Sequence, residues 1–274
     1  MAMKRTDDMK LKRLTGNWNT YNISDDQFYY WKIGEANLWI RRDKNEIYIA
    51  TSHDKNIAAQ NIDHMPEDLE WARFAIKEEI ISIELTPAMP DRPLVVKPEA
   101  SFYLTVGTKR TIYVRIPVWI CISIVAKAKN KLLGIPSVIL SNTWFGDLVD
   151  GELCYWLSSG ARSKIEPDPS RPYMTICPIT LQNESDENLL VEKFVVRADN
   201  STLFVYNGQL YTDEILISFK GKDKFSSIAF KGRPRKEFSG ATRIADPKKK
   251  QNKKILAKSF DSIKGDHLLG MPIK

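Results

Sequence analysis

The stretch SNTWFGDLVDGELCYWLSSGARSK, residues 141–164, gathers the residue types most capable of chemistry in this chain. The carboxylates of Asp147, Asp150 and Glu152 could converge on a hard cation, because such ions prefer oxygen ligands. Alternatively, Glu152 and Asp147 could serve as general acid and base on a sugar or phosphorylated substrate. Trp144 would then provide a flat apolar surface on which a sugar ring stacks. Both are hypotheses that require the side chains to face one pocket.

The same stretch also fits a plain structural interpretation, an acidic turn between two strands. Gly146 and Gly151 would supply the backbone freedom that a tight turn needs. After the turn, Cys154 and Trp156 alternate with apolar neighbours on the opposite face, as residues of a strand buried on both faces would. The sequence leaves the choice between site and turn open.

Three further residues are candidates for ligand binding. Asp91 and Arg92 lie between two prolines, which hold them in a stiff extended turn, so that their side chains are oriented in advance. This arrangement suits either ligand capture or a structural ion pair. Arg162 follows the strand that contains Trp156, where it could pair with Glu152 or contact an anion.

Motifs for catalysis or cofactor binding are missing from the sequence. It contains no GxSxG, no P-loop, no GxGxxG after a strand and no HExxH, so we predict no catalytic residue, no cofactor and no metal site. The histidines are isolated in the sequence, at His53, His64 and His267. The three cysteines form no CxxC pair and lie in apolar segments, which is typical of buried free thiols in a reducing cytoplasm.

Most of the positive charge lies near the C-terminal end. Eleven basic residues occur between Lys231 and Lys258 against two acidic ones, more than the formal net charge of +7 for the whole chain, so the remainder is close to neutral. Such a segment could dock on a protein partner or an anionic membrane surface, contact nucleic acid, or be a solvated extension. Nucleic acid is the least favoured, because its binding modules carry their basic face on the folded domain. The predicted docking residues are Lys248, Lys249, Lys250, Lys253 and Lys254.

Hydropathy predicts a cytoplasmic protein without a transmembrane segment. The first residues lack the apolar core and cleavage site of a secretory signal. The longest apolar run, Val118–Ala126, is about half the length of a membrane helix and is instead a candidate buried strand.

Alternating apolar residues predict a mainly β fold with two β-sandwich (immunoglobulin-like) units, an N-terminal β-meander and one short helix. The helix is predicted within residues 66–79, from a proline in the first turn and apolar residues at helical spacing. Asn207-Gly208 predicts a tight hairpin. The predicted domains are residues 1–79 for the meander and helix, 80–165 and 173–232 for the sandwiches, and 233–274 for a basic flexible tail.

Three phrases resemble an uncharacterised prokaryotic family catalogued as a domain of unknown function (four-three-two). They are PDRPLVVKPEASFYLTVGTKRTIYVRIPVWI at 90–120, TWFGDLVDGELCY at 143–155 and RPYMTICPITLQNESDENLLVEKFVV at 171–196, and the resemblance covers roughly residues 69–230. The family has no assigned activity, so the resemblance implies no catalytic residue. It implies at most a membrane-associated protein partner, since such proteins are associated with genes for small mechanosensitive channels.

Together these observations favour a non-catalytic binding or scaffold module with a basic tail for docking. The alternative is a carboxylate-based enzyme that acts on a sugar or phosphorylated substrate through Trp144, Asp147 and Glu152. Geometry separates the two, because the enzyme needs these three side chains in one concave pocket.

Overall fold

The computed structural model describes residues 10–14, 17–25, 27–55, 69–77, 82–222, 224–248 and 254–260. Over these residues the chain is mainly β, as predicted. It divides into two compact units, each built from two separate stretches of chain. The first comprises Met1–Pro87 and Trp119–Ile139, and the second comprises Ala88–Val118 and Leu140–Lys274.

Strands are numbered here in chain order. The first twelve are β1 (Lys10–Arg13), β2 (Thr20–Asn22), β3 (Gln27–Ile33), β4 (Ala36–Asp43), β5 (Glu46–Ser52), β6 (Trp71–Ala75), β7 (Ser82–Ala88), β8 (Leu94–Pro98), β9 (Phe102–Leu104), β10 (Lys109–Pro117), β11 (Trp119–Val125) and β12 (Lys129–Pro136). The next are β13 (Asn142–Phe145), β14 (Glu152–Ala161), β15 (Met174–Asn183), β16 (Leu189–Val191), β17 (Phe194–Val196), β18 (Leu203–Tyr206), β19 (Gln209–Thr212), β20 (Ile215–Phe219), β21 (Ser226–Phe230), β22 (Thr242–Ala245) and β23 (Lys254–Ala257). The described residues also form short 3₁₀ turns at Ala198–Asn200 and Lys236–Phe238.

The first unit contains a five-stranded sheet in the order β1-β3-β4-β5-β6 and a four-stranded sheet in the order β12-β11-β7-β2. The predicted meander is present as β3, β4 and β5, which are joined by tight turns where Gly34 and Lys44 take positive φ. Trp31 and Trp39 are almost fully buried in these strands. The apolar run at 118–126 forms β11, a strand as predicted.

The predicted helix at 66–79 is wrong over residues 71–75, which form strand β6. This strand pairs antiparallel with β5, opposite Glu46 to Ala50. The Trp71 ring packs against the cluster of Tyr30 and Trp39, so the segment gains both ladder hydrogen bonds and apolar burial. Helical spacing is a weak signal that such tertiary pairing overrides.

The second unit contains a sheet in the order β22-β18-β19-β15-β20-β21-β23, with β10 also paired to β15. A four-stranded sheet, β13-β14-β8-β17, and a two-stranded sheet, β16-β9, complete it. The Asn207-Gly208 hairpin joins β18 to β19 as predicted, and both residues take positive φ.

The domain boundaries differ from those predicted for two successive sandwiches. Strand β10 pairs along its whole length with β15, so strands assigned to 80–165 and to 173–232 share one sheet. Residues 119–139, in contrast, belong to the first unit. A local sequence pattern identifies strands but contains little information about their distant partners.

The predicted detached tail is also corrected, because part of it belongs to the sheet. Strand β22 pairs with β18, and β23 pairs with β21. Phe260 is buried against Phe194 and Phe219, which anchors the end of the described chain. Leu256 lies on β23 with 66% of its surface exposed.

Candidate functional site

The acidic turn, residues 146–151, joins β13 to β14 and is held by its own first carboxylate. One oxygen of Asp147, Oδ1, accepts hydrogen bonds from the backbone N–H groups of Val149 at 3.0 Å and Asp150 at 2.7 Å. The indole N–H of Trp144 donates to the backbone carbonyl of Asp147 at 2.9 Å. Trp144 therefore supports the turn with its polar edge, and the turn has a defined conformation.

Both glycines of the turn are required by close packing. A Cβ at Gly151 would lie 2.2 Å from the Trp144 indole nitrogen and 2.4 Å from the Asp147 carbonyl oxygen. Gly146 has a φ of +101°, in the region that favours glycine, and its Cβ would lie 2.9 Å from the Cα of Gly151. The predicted need for backbone freedom is therefore observed at Gly146, whereas Gly151 is required because there is no room for a side chain.

Asp147 and Asp150 share one cation from the C-terminal segment. The ammonium of Lys258 lies 3.0 Å from Oδ2 of Asp147 and 3.7 Å from Oδ2 of Asp150. The hydrogen bond from the Asp150 N–H, followed by that from Lys258, lowers the pKa of Asp147 to about 2. The same contact with Asp147 raises the pKa of Lys258. Asp147 is consequently ionised throughout the neutral range.

Glu152, the first residue of β14, forms a two-pronged ion pair with Arg197. One guanidinium nitrogen donates to Oε2 at 2.8 Å and the other donates to Oε1. The Arg197 side chain is only 12% exposed and that of Glu152 35%, so this pair is partly shielded from water. Bidentate pairs of this kind fix the geometry of both side chains.

The predicted convergence of the three carboxylates on one cation is not observed. Asp147 and Asp150 face Lys258, whereas Glu152 faces Arg197. In the described ranges, no group of three or more His, Cys, Asp or Glu side chains is arranged to hold a metal ion. The carboxylates of this stretch are partners of basic side chains.

The tip of the acidic turn presents two aliphatic side chains to solvent. Leu148 is 80% exposed and Val149 is 90% exposed, the largest values among the exposed large hydrophobic residues of the described chain. The backbone on both sides of them is held by the hydrogen bonds to Asp147. The turn therefore presents two exposed aliphatic side chains on a backbone that is held by hydrogen bonds.

Asp91 and Arg92 support the strands that lead into the turn. Asp91 accepts a hydrogen bond from the Tyr155 hydroxyl at 3.0 Å, and Arg92 donates to the side-chain oxygen of Asn142 at 2.9 Å. Asn142 and Tyr155 are register partners on β13 and β14. The guanidinium of Arg92 also lies 5.3 Å from the centre of the Tyr155 ring, and burial together with Asp91 raises the pKa of Tyr155 to about 12. The dipeptide thus holds one strand pair by contacts with Tyr155 and Asn142.

Arg162 pairs with a different carboxylate from the one predicted. Its Nε lies 2.6 Å from Oε1 of Glu99, while its backbone forms a bridge with Tyr113. Both side chains are more than half exposed, so this pair contributes little to stability. Arg162 does not take part in the ion pairs of the acidic turn.

The remaining predicted residues form no contact with the acidic turn in the described part of the chain or lie outside the described residues. Lys254 begins β23 with an exposed side chain, and the backbone N–H of Lys248 donates to the Asp199 carbonyl at 3.1 Å. Docking through the basic residues stays a prediction. The ring of His53 contacts the carbonyl of Pro136 at 2.8 Å. Five predicted positions lie outside the described residues: Lys249, Lys250, Lys253, His64 and His267.

Sequence reasoning missed the two cations of the site and its exposed tip. Lys258 was assigned to the tail, and Arg197 lies 45 positions after Glu152, beyond any local pattern. Leu148 and Val149 had a usable signal, because two aliphatic residues between aspartates in a tight turn cannot both reach a core.

No helix in the described part of the chain combines the length and the apolar character needed to cross a membrane. No curated protein and no solved structure matches the chain. One family model does match, described as Protein of unknown function (DUF432), over residues 17–264. That range covers most of the sequence and includes the strands β13 and β14, the acidic turn and both of its cations. The chain therefore belongs to this family.

Proposed function

We propose that this chain is a non-catalytic binding or scaffold protein that docks a protein partner through the acidic turn. Leu148 and Val149 enter an apolar pocket of the partner, and the aspartates meet its rim. The observation that carries the proposal is the exposure of these two side chains, 80% and 90%, on a turn whose backbone is fixed. Burying one such side chain is worth about 1.5 to 3 kcal/mol.

The fixed turn favours binding because little order has to be gained. The Asp147 carboxylate and the Trp144 indole already hold the backbone, and the ion pair with Lys258 restrains the side of the turn. A preformed contact point avoids most of the entropy that ordering a loop costs on association. An exposed apolar point that is also rigid is therefore suited to recognition.

Charge favours a protein partner over an anionic membrane surface. Asp150 is 71% exposed in its side chain and Asp147 45%, so carboxylates flank the apolar tip. Anionic lipid would repel them, whereas a pocket with a basic rim would complement them. The partner that fits is a protein with an aliphatic pocket bordered by lysine or arginine.

The carboxylate-based enzyme has less support. An acid/base pair needs one carboxyl group that is protonated near neutral pH. Asp147 has its pKa lowered to about 2, and both oxygens of Glu152 are engaged by Arg197. Trp144 donates its N–H within the turn. These contacts suit a structural role for all three residues.

A cytoplasmic location fits the three cysteines, each of which is a free thiol in the structure. The resemblance noted in the sequence suggests a membrane-associated partner, and the cytoplasmic part of a mechanosensitive channel would be one example. Docking through the acidic turn requires only that such a partner presents an apolar pocket with a basic rim.

The proposal can be tested by photo-crosslinking in cells. A benzophenone amino acid would replace Leu148 in one strain and Phe225, which is 58% exposed, in a control strain. We expect one discrete crosslinked protein from position 148 and none of that size from position 225. In the full-length protein, the double change Leu148→Ser and Val149→Ser should abolish co-purification of the crosslinked partner without altering the melting temperature. Identical adducts from both positions, or a partner retained by the double variant, would refute the docking role.

A further inference from the structure

A second charged feature of the second unit lies in the segment after β21. Here the chain borders a cleft of 610 Å³. Small-molecule sites typically occupy about 300 to 1,000 Å³, so the cleft has a suitable size. Its charged lining residues are Glu214, Lys231, Arg233, Arg235, Lys236 and Glu237. This set is called the basic cleft.

The wall of the basic cleft is anchored at its beginning to the sheet. The backbone N–H of Gly232 donates to Oδ2 of the buried Asp213 at 2.7 Å, and that of Lys231 donates to the Glu214 carbonyl at 3.2 Å. Gly232 has a φ of +65°, which turns the chain away from β21. The side chains of the segment are therefore held in place where the cleft begins.

Aromatic packing anchors the far end of the same segment. The ring of Phe238 stacks on Tyr211 with centroids 4.1 Å apart and also contacts Tyr206. The 3₁₀ turn at Lys236–Phe238 is closed by a hydrogen bond from the Phe238 N–H to the Arg235 carbonyl at 2.9 Å. A segment fixed at both ends can present charges in a constant arrangement.

Positive charge in the basic cleft exceeds negative charge. Arg235 lies 3.9 Å from Glu214 and 3.4 Å from Glu237, so it balances part of their charge. Lys231, Arg233 and Lys236 form no ion pair with any other described residue. Four cations against two carboxylates leave a surplus that attracts anions into a concave site.

The guanidinium of Arg235 is not fully hydrogen-bonded. Its Nη1 nitrogen is buried and has no hydrogen-bond partner among the described residues. Its ion-pair distance to Glu214, 3.9 Å, is too long for a hydrogen bond. A donor without an acceptor is costly, and the carboxylates of Glu214 and Glu237, at 3.9 and 3.4 Å, leave part of the hydrogen-bonding capacity of Arg235 unused.

We propose that the basic cleft binds a small phosphate-bearing ligand. Arg233, Arg235 and Lys236 contact the phosphate oxygens, since guanidinium and ammonium groups form strong charge-assisted bonds to phosphate. Glu214 and Glu237 accept hydrogen bonds from hydroxyl groups of the same ligand. A phosphorylated polyol satisfies both requirements, either as a free metabolite or as a phospholipid headgroup. The basic cleft is separate from the acidic turn, and this proposal does not depend on the docking role proposed for that turn.

The free-ligand arm uses the full chain titrated with sn-glycerol 3-phosphate by calorimetry, and glycerol as the uncharged comparison. The cleft variant, Arg233→Gln with Lys236→Gln, removes two positive charges from the basic cleft. The control variant, Lys109→Gln with Lys224→Gln, removes two positive charges from exposed positions outside it. If the cleft binds the phosphate group, the cleft variant should weaken binding by about tenfold or more, and the control by less than about twofold. Glycerol should not bind.

The lipid arm uses the same three proteins with vesicles of phosphatidylglycerol in phosphatidylcholine. Sedimentation of the wild type and the control variant, but not of the cleft variant, would identify a headgroup as the source of the phosphate. Should the cleft variant melt at a lower temperature than the control variant, the single change Lys236→Gln replaces it. The proposal is wrong if glycerol 3-phosphate and the vesicles both fail to bind, or if cleft and control variants lose binding equally.

Discussion

The acidic turn and the basic cleft are both loop regions of the second unit, and they use charge in opposite ways. In the turn, each of the three carboxylates of Asp147, Asp150 and Glu152 lies in an ion pair with Lys258 or Arg197, and the most exposed apolar side chains are the two at the tip. Among the residues that the structure describes, Arg235 is the one cation of the four in the cleft that lies close to a carboxylate. The turn is thus suited to apolar contact and the cleft to anions.

This difference teaches that the density of charge in the sequence is a poor guide to charge available for function. The region richest in carboxylates has its carboxylates occupied by ion pairs with residues from distant parts of the chain. The region that looked like a solvated tail is anchored at Gly232 and Phe238 and keeps free cations. Whether a charge is available for a ligand depends on its tertiary partners, which are set by the fold.

The largest expected effect concerns the anchor that brings Lys258 to the turn. Phe260→Ala should lower the free energy of unfolding by about 4 kcal/mol, because the ring is 91% buried, with only 9% exposed, against Phe194 and Phe219. Denaturant titration followed by tryptophan fluorescence measures this loss. The matched control, Leu256→Ala on the neighbouring strand, removes a side chain that is 66% exposed and should cost less than about 0.5 kcal/mol. Equal losses in the two variants would mean that the C-terminal segment does not support the turn.

A somewhat smaller effect is expected from the glycine that closes the turn. Gly151→Ala should cost about 3 kcal/mol, because its Cβ would lie 2.2 Å from the Trp144 nitrogen and 2.4 Å from the Asp147 oxygen. The matched change on the cleft side, Gly240→Ala, places its Cβ at an ordinary 3.6 Å from Tyr206 and should be nearly neutral. Thermal unfolding of both variants tests the comparison. A neutral Gly151→Ala would show that the turn is less tightly packed than its contacts indicate.

Lowering the pH should change the stabilising contributions of Asp213 in the cleft and of Asp147 in the turn in opposite directions. Asp213 anchors the cleft through Gly232, and burial raises its pKa from 3.8 to about 6. Its folded pKa is above the unfolded value, so its contribution to stability is complete below 3.8 and is lost as pH rises through about 6. Asp147 has its pKa lowered to about 2, so its contribution is present above 3.8 and is lost as pH falls through about 2.

The measurement is the free energy of unfolding from pH 2 to pH 8 for the wild type, Asp213→Asn and Asp147→Asn. The advantage of the wild type over Asp213→Asn should fall by about 3 kcal/mol between about pH 4 and pH 7. Its advantage over Asp147→Asn should increase from about pH 2 to pH 4 and then stay constant. Changes of the same sign for the two variants would contradict the opposite electrostatics of turn and cleft.

Features with a short sequence range were predictable. The meander β3–β5, the buried strand β11 and the Asn207-Gly208 hairpin follow from side-chain alternation and from positive φ at the turn. The acidic turn itself follows from Gly146, Gly151 and the aspartates, which specify a tight connection wherever it lies in the fold. These predictions succeeded because each depends on interactions between near neighbours.

Features that depend on distant partners were not predictable. Residues 71–75 have helical spacing, but they form β6 because β5 offers a free edge. The acidic turn was recognisable, whereas its ion pair with Lys258, 111 positions after Asp147, was not. The basic composition of the C-terminal region gave no sign that β22 pairs with β18 or that β23 pairs with β21.

The sequence by itself determined that this is a mainly β chain with an acidic turn, free thiols and a basic C-terminal region. Only the tertiary structure decided which strands share a sheet, which carboxylates form ion pairs with distant side chains and which cations have no ion-pair partner among the described residues. The physical reason is that local periodicity fixes the direction of each side chain, whereas ion pairs and strand pairs between distant residues depend on the folded arrangement of the whole unit.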